Sequence, residues 1–195
     1  MFISLEGVDG SGKSTQAKLL AEALGPETVL IREPGGTDAA ERIRGLLADP
    51  GVELDPLAEL LLFCAARADL VARVIRPALE RGRDVVSDRF SDSSVAYQGA
   101  ARGLGAGLAI GLCDTATDGL WPDLTVLIEI DPEVGLARAG GGDRIEEEGP
   151  EFQREVAAAY SEIAQIAADR VVVVDGSGAV EEVHERVMAE VERHR

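Results

Sequence analysis

Lys13 and Ser14 close the stretch Gly7-Val8-Asp9-Gly10-Ser11-Gly12-Lys13-Ser14, which fits the pattern G-x-x-x-x-G-K-[ST]. Residues of these types at this spacing bind phosphate. The glycines let backbone N–H groups, those of Gly7 through Thr15 here, turn toward an anion with no Cβ in the way. A helix starting directly after the loop adds the partial positive charge of its N-terminus. Lys13 reaches the outer phosphates of a nucleotide in such a loop, and Ser14 holds Mg²⁺. The composition sharpens this reading. Lysine and arginine together number 19, yet the lysines are Lys13 and Lys18 alone. A chain that uses arginine almost everywhere has lysine where the pattern needs a compact ammonium rather than a planar guanidinium.

Other residues with chemistry to offer follow in order. Arg32-Glu33-Pro34-Gly35-Gly36-Thr37 is a turn, either an ordinary loop or part of a site. Leu60, Phe63, Arg67 and Leu70 recur as one helical stripe. An arginine there is costly unless it meets an anion or a carboxylate, so Arg67 either pairs with an acid or faces a phosphate. Phe63, one turn earlier, reads more readily as core than as a stacking platform. Asp88 and Arg89 end an apolar run, and an acid so placed in a phosphate-loop protein is a second Mg²⁺ element or a helix cap. Ser94, Tyr97, Gln98 and Arg102 recur at three- and four-residue steps, either as a solvated face or as polar groups that read a base and sugar. Arg138 and Arg144 flank Gly140-Gly141-Gly142, either a surface connection or a lid that delivers charge.

These residues need a frame. Continuous apolar runs predict strands over Phe2–Glu6, Val29–Arg32, Asp84–Asp88, Leu124–Ile130 and Arg170–Asp175. Helical patterns lie between them: Lys13–Leu24, Asp38–Ala48, Pro56–Arg81, Ser91–Gly99, Gly105–Asp118, Pro132–Ala139, Pro150–Ala168 and Val180–Arg193. Alternation of strand and helix means an α/β fold with a parallel sheet and right-handed crossovers. Ligands bind outside the carboxyl ends of such strands, where the phosphate loop, Glu33 and Asp88 all fall. No repeat or linker divides the chain, so one domain over residues 1–195 is expected, with a lid at about 138–150.

The 195 residues suffice for one domain with a core, and at 4% aromatic that core is mostly aliphatic. A net charge of −17 repels nucleic acid and argues against nonspecific binding to it. It also obliges any anion-binding site to concentrate its few cations or use Mg²⁺. No apolar run approaches the roughly 20 residues of a membrane span. The first residues show no secretory pattern, and Cys64 and Cys113 fit neither a metal site nor a disulfide framework, so a cytoplasmic setting is expected.

Five segments together resemble the bacterial thymidylate kinases: FISLEGVDGSGKST at 2–15, REPGGT at 32–37, LLFCAAR at 61–67, DRFSDSSVAYQGAARG at 88–103 and DRIE at 143–146. The resemblance implies a P-loop nucleoside monophosphate kinase fold with a five-stranded parallel sheet in the order 2-3-1-4-5, flanked by helices, in a homodimer. It implies transfer of the γ-phosphate of ATP to dTMP with Mg²⁺. Asp9 then contacts the nucleotide sugar and helps order Mg²⁺, with Ser14 and Asp88 as the other metal candidates. Glu33 and Pro34 fall at the dTMP site. Phe63 stacks on thymine, which reverses its generic reading. Arg67 and Arg89 bind the dTMP phosphate, Ser94 and Gln98 bond the base, Tyr97 lies against the deoxyribose, and Arg102 lies near thymine. Where some members carry an arginine inside the loop this chain has Gly10, so the arginine that stabilises the transferred phosphoryl group is expected on the lid, as Arg138 or Arg144. The lid is shorter and poorer in arginine than the family pattern. Two rivals stand beside this reading: a kinase for a different monophosphate, and a nucleotide-binding module without transfer activity. A GTP-binding switch is excluded, because its N-K-x-D signature needs asparagine and the chain has none.

Overall fold

The computed structural model describes residues 1–139 and 144–195. Strands β1 (Phe2–Glu6), β2 (Val29–Arg32), β3 (Val85–Asp88), β4 (Leu124–Glu129) and β5 (Val171–Asp175) form one parallel sheet in the order β2-β3-β1-β4-β5. Every expected strand is present. β1 is buried along its whole length, as are the β3 residues beside it. This is why these runs are apolar without alternation. The chain runs from β1 out to β2, back to β3, then crosses to β4 on the far side of β1. That reversal opens a crevice at the carboxyl end of β1.

The alternation of side chains along β1 divides the core. Ile3 and Leu5 face helices α1 (Lys13–Leu24) and α9 (Val180–Arg193), packing with Leu20, Val183, Val187 and Val191. Phe2 faces the opposite side and joins Ile31, Leu70, Ile75, Val85 and Phe90. Helices α2 (Asp38–Ala48) and α3 (Pro56–Leu70) pack together on that side. α8 (Gly149–Ile166) covers β4 and β5 there through Phe152, Val156 and Tyr160. α6 (Ala106–Thr117) adds an outer layer on α3 through Cys64, Ala109 and Cys113.

Two expected helices are interrupted by wider π turns. The helix expected over Pro56–Arg81 is α3, a π turn at Val71–Ile75, then α4 (Arg76–Glu80). Pro77 gives the reason: it lacks an N–H and its ring crowds the carbonyl four residues back. After β3, α5 (Ser91–Ser94) passes directly into a π turn at Val95–Ala101. α7 (Pro132–Ala139) follows β4. The centre of the expected lid, 140–143 with Asp143, lies outside the described residues.

Candidate active site at the carboxyl edge of the sheet

The phosphate loop joins β1 to α1. Gly7, Gly10 and Gly12 have φ of 146°, 71° and 94°. No side chain caps α1 and no acid sits in its first turn, so its leading N–H groups are suited to an anion. Lys13 is buried and its Nζ donates to the Val8 carbonyl at 3.2 Å, with Asp9 Oδ1 at 3.7 Å. Burial, helped by the Arg89 charge, pushes the Lys13 ammonium down to about 8, against the pull of Asp9 and Asp88.

Gly10 has a second constraint. A Cβ there would lie 2.0 Å from the Gly135 carbonyl oxygen, and a Cβ on Gly135 would lie 2.4 Å from the Asp9 carbonyl oxygen. The loop and α7 therefore meet backbone to backbone. An arginine at position 10 has no room in this arrangement.

Arg89 follows β3 with φ 73°, left-handed for a non-glycine residue. That turn aims the guanidinium back at the loop. Nη1 donates to the Gly7 carbonyl at 3.2 Å and to Ser93 Oγ at 3.0 Å. Nη2 donates to Tyr97 Oη at 2.9 Å and to Asp9. The guanidinium carbon stands 4.8 Å from the Tyr97 ring centre. Asp9 also accepts from Gln153 Nε2 at 2.8 Å. Burial pushes the Asp9 carboxyl up, but Arg89 and Lys13 outweigh it and hold the carboxyl below its usual range.

Arg67 is 1% exposed. Its Nε donates to Glu33 Oε2 at 2.8 Å, and Nη2 reaches Ser94 Oγ at 3.1 Å and the Phe90 carbonyl at 3.2 Å. The costly cation on an apolar stripe is thus matched by Glu33, while Arg67 still lines the cavity. Burial raises the Glu33 carboxyl to about 7 despite Arg67, and its Oε1 has no hydrogen-bond partner.

These groups enclose a cavity of about 310 Å³. It is lined by Asp9, Gly10, Lys13 and Ser14 from the loop, Glu33 and Pro34 after β2, and Phe63 and Arg67 from α3. Asp88, Arg89, Ser94, Tyr97 and Gln98 complete the expected set that it gathers. Of the loop residues expected at the phosphates, Gly7, Val8, Ser11, Gly12 and Thr15 do not line it, and three residues expected at the dTMP site or on the lid stand elsewhere. Arg102 turns away to Glu59 and stacks on Phe152 at 4.8 Å, because the π turn re-phases the helix before it. Arg144 also lies on Glu59, at 2.6 Å, and its Nε donates to the Leu47 carbonyl. Arg138 is exposed at the end of α7.

Several residues at the site had not been singled out from the sequence. Glu6 ends β1, fully buried, and accepts from Phe90 N and Ser93 Oγ at 2.6 Å and from Tyr160 Oη at 2.8 Å. Burial, with Asp92 adding, raises its carboxyl. It ties the turn that carries Arg89 to the strand that carries the loop. Gln153 and Tyr160 reach the site from α8, far along the chain, with no local signal. Glu59 did carry one: an acid inside Leu57–Phe63 is as anomalous as Arg67.

The donor set suits Mg²⁺. Asp88 Oδ1 is buried without a partner, beside Asp9 and Ser14 in one cavity. Among the described residues no three His, Cys, Asp or Glu side chains cluster as a metal cage. Mg²⁺ needs none when it is held by one or two carboxylates and substrate phosphates. Among the described residues no helix is long and apolar enough to cross a membrane.

The thymidylate kinase family model matches residues 5–187. A thymidylate kinase of Deinococcus radiodurans is 45% identical over 197 residues, covering 98% of this chain and 96% of that protein. One from Symbiobacterium thermophilum is 47% identical over 198 residues, covering 98% and 92%. The crystal structure of thymidylate kinase from Ehrlichia chaffeensis superposes with a TM-score of 0.82 at 35% identity, covering 98% of both chains. With the sheet order and the phosphate loop already in place, these matches over nearly the whole length leave one assignment: the chain belongs to the thymidylate kinase family.

Proposed function

We propose that the chain transfers the γ-phosphoryl group of ATP to dTMP, giving dTDP for dTTP synthesis, in the cavity at the carboxyl edge of the sheet. One observation carries this reading. The phosphate loop's Lys13 and Asp9 share a single cavity with Phe63, Ser94 and Gln98, and Arg89 and Arg67 stand within it.

Phosphoryl transfer needs positioning and charge neutralisation more than covalent chemistry. The attacking group, a phosphate oxygen of dTMP, is already ionised at neutral pH, so no strong base is required. Lys13 and the loop N–H groups from Gly7 to Thr15 hold the donor phosphates. Mg²⁺, when bound, offsets the charge on the transferred group, and Ser14, Asp9 and Asp88 are the residues to hold it. Arg89 binds the acceptor phosphate. Arg67, whose charge Glu33 already matches, serves the dTMP site through its N–H groups more than through net charge. Phe63 stacks on the base, and Tyr97, held by Arg89, packs on the deoxyribose and disfavours a 2′-hydroxyl. The lid supplies the arginine that Gly10 cannot. Arg138 is favoured over Arg144, because it lies one turn beyond the Gly10–Gly135 contact while Arg144 is engaged by Glu59.

A homodimer is supported by exposed Leu57 and Leu61 on α3 and Leu108 on neighbouring α6, an apolar face that a second copy covers. Sedimentation of Leu61→Glu then shows monomer. The proposed setting is the cytoplasm. The activity is tested by ADP release with a panel of monophosphates. dTMP is expected to be used best. Preference for dCMP, dGMP or UMP overturns the substrate assignment, and release with none of them overturns the reaction.

A further inference from the structure

Glu59 lies one turn before Phe63 and two before Arg67 on α3, facing the same side, and is 1% exposed. Its Oε1 accepts from Gln98 Nε2 at 2.7 Å and Arg102 Nε at 3.3 Å. Its Oε2 meets Arg102 Nη2 at 3.3 Å and Arg144 Nη2 at 2.6 Å. We infer that Glu59 is a positioning residue that fixes the Gln98 amide so that its carbonyl oxygen, not its nitrogen, reads the edge of the base. A carboxylate only accepts hydrogen bonds, so whichever end of the amide meets Glu59 must be the NH₂. The two guanidiniums match the carboxylate charge and hold it in place. Gln98 lines the cavity, and with its nitrogen committed to Glu59 its Oε1 is the atom left to the ligand.

The consequence is a rule about donors. A pyrimidine with a hydrogen on N3, as in thymine, donates to Gln98 Oε1. Cytosine presents a lone pair at N3, so two acceptors face each other and neither is satisfied. Sites built to bond one polar group reject analogues that lack it far more strongly than sites that read size. Arg144 on the same carboxylate also ties base reading to the segment that follows the lid centre.

This inference rests on the dTMP reading above, and the test separates the two. kcat and KM for dTMP and dCMP are measured for the wild type, Glu59→Gln, and the exchange Glu59→Gln with Gln98→Glu. In Glu59→Gln the partner amide can donate, so Gln98 can turn and offer NH₂ to the base. A rise in KM for dTMP and a tenfold or greater gain in the dCMP-to-dTMP ratio of kcat/KM are expected. The exchange keeps one carboxylate and one amide in the pair and restores an acceptor at the base, so the wild-type preference returns. A wild type inactive on dTMP overturns the functional reading. An active wild type with an unchanged ratio in Glu59→Gln, or an equal loss on both substrates, overturns this inference alone. If thermal melting shows that the single variant does not fold, the exchange decides: a folded exchange variant without dTMP preference refutes the role.

Discussion

The backbone contact between the phosphate loop and α7 makes a quantitative prediction for Gly135→Ala. In a helix interior this change normally stabilises by about 0.8–1 kcal/mol, because glycine forfeits chain entropy. At position 135 the new Cβ falls 2.4 Å from the Asp9 carbonyl oxygen and 3.1 Å from Ile130 Cδ1. Ordinary contact begins near 3.4 Å. The loop and α7 must separate by about 1 Å, because the nearest obstacle is backbone and cannot rotate away. Overpacking of this kind costs about 1–3 kcal/mol, so the net change in stability is small, a loss of at most about 2 kcal/mol. Activity is far more sensitive: a 1 Å displacement of reacting groups costs on the order of 10²-fold in rate. Steady-state kcat and KM for ATP, with thermal melting alongside, check this. Gly45→Ala is the control, since its Cβ enters open space on α2. A Gly135→Ala enzyme within threefold of wild-type kcat refutes the claim that this contact sets the loop against the lid.

Three further results are expected. Lys13→Ala and Arg89→Ala each nearly abolish turnover in the ADP-release assay, since each removes a cation that lines the cavity and charge-assisted bonds to phosphate are worth about 1.5–3 kcal/mol each. Retention of more than a tenth of the wild-type rate by either sinks its assigned role. The Lys13 ammonium, lowered to about 8, is charged below that pH and neutral above it. kcat/KM for ATP in the free enzyme therefore falls as pH rises through about 8, whereas kcat holds to higher pH because bound phosphates keep the proton on. A kcat/KM that stays flat through that window speaks against it. For the lid, Arg138→Ala lowers kcat by about 10³-fold or more, as removal of a transition-state arginine does. Arg144→Ala instead raises KM for dTMP through Glu59. If neither changes kcat, the arginine does not come from the lid.

Much of this architecture was legible in the sequence, and the limits have physical causes. Strands buried on both faces are continuous apolar runs, so β1 and β3 announced themselves, and Asp88, the acid that closes β3, marked the site edge. The phosphate loop was legible because its backbone geometry needs glycine at fixed steps. The π turns were not, since a helix that widens keeps almost the same apolar spacing. The first could have been suspected from Pro77. The second moved Arg102 away from the cavity that Ser94, Tyr97 and Gln98 line, which no periodicity shows. Glu6 reads as an ordinary strand end until Phe90, Ser93 and Tyr160 arrive from distant parts of the chain to bond it. Gly10 shows in the sequence only that the loop lacks an arginine; that Gly135 leaves no space for one depends on a backbone contact between distant segments.

The left-handed backbone at Arg89 has a consequence for how such chains change over time. A non-glycine residue held there costs about 1–3 kcal/mol, and glycine would adopt the same φ without it. The side chain more than offsets that backbone term: Arg89 pairs with the largely buried Asp9 and bonds the Gly7 carbonyl, Ser93 and Tyr97, and a buried charge left without its partner costs about 3–5 kcal/mol. Glycine at this position would relax the turn and loosen the site in one step. A descendant that loses Arg89 therefore needs a matching change at Asp9 to keep its fold, so the two positions are bound to change together.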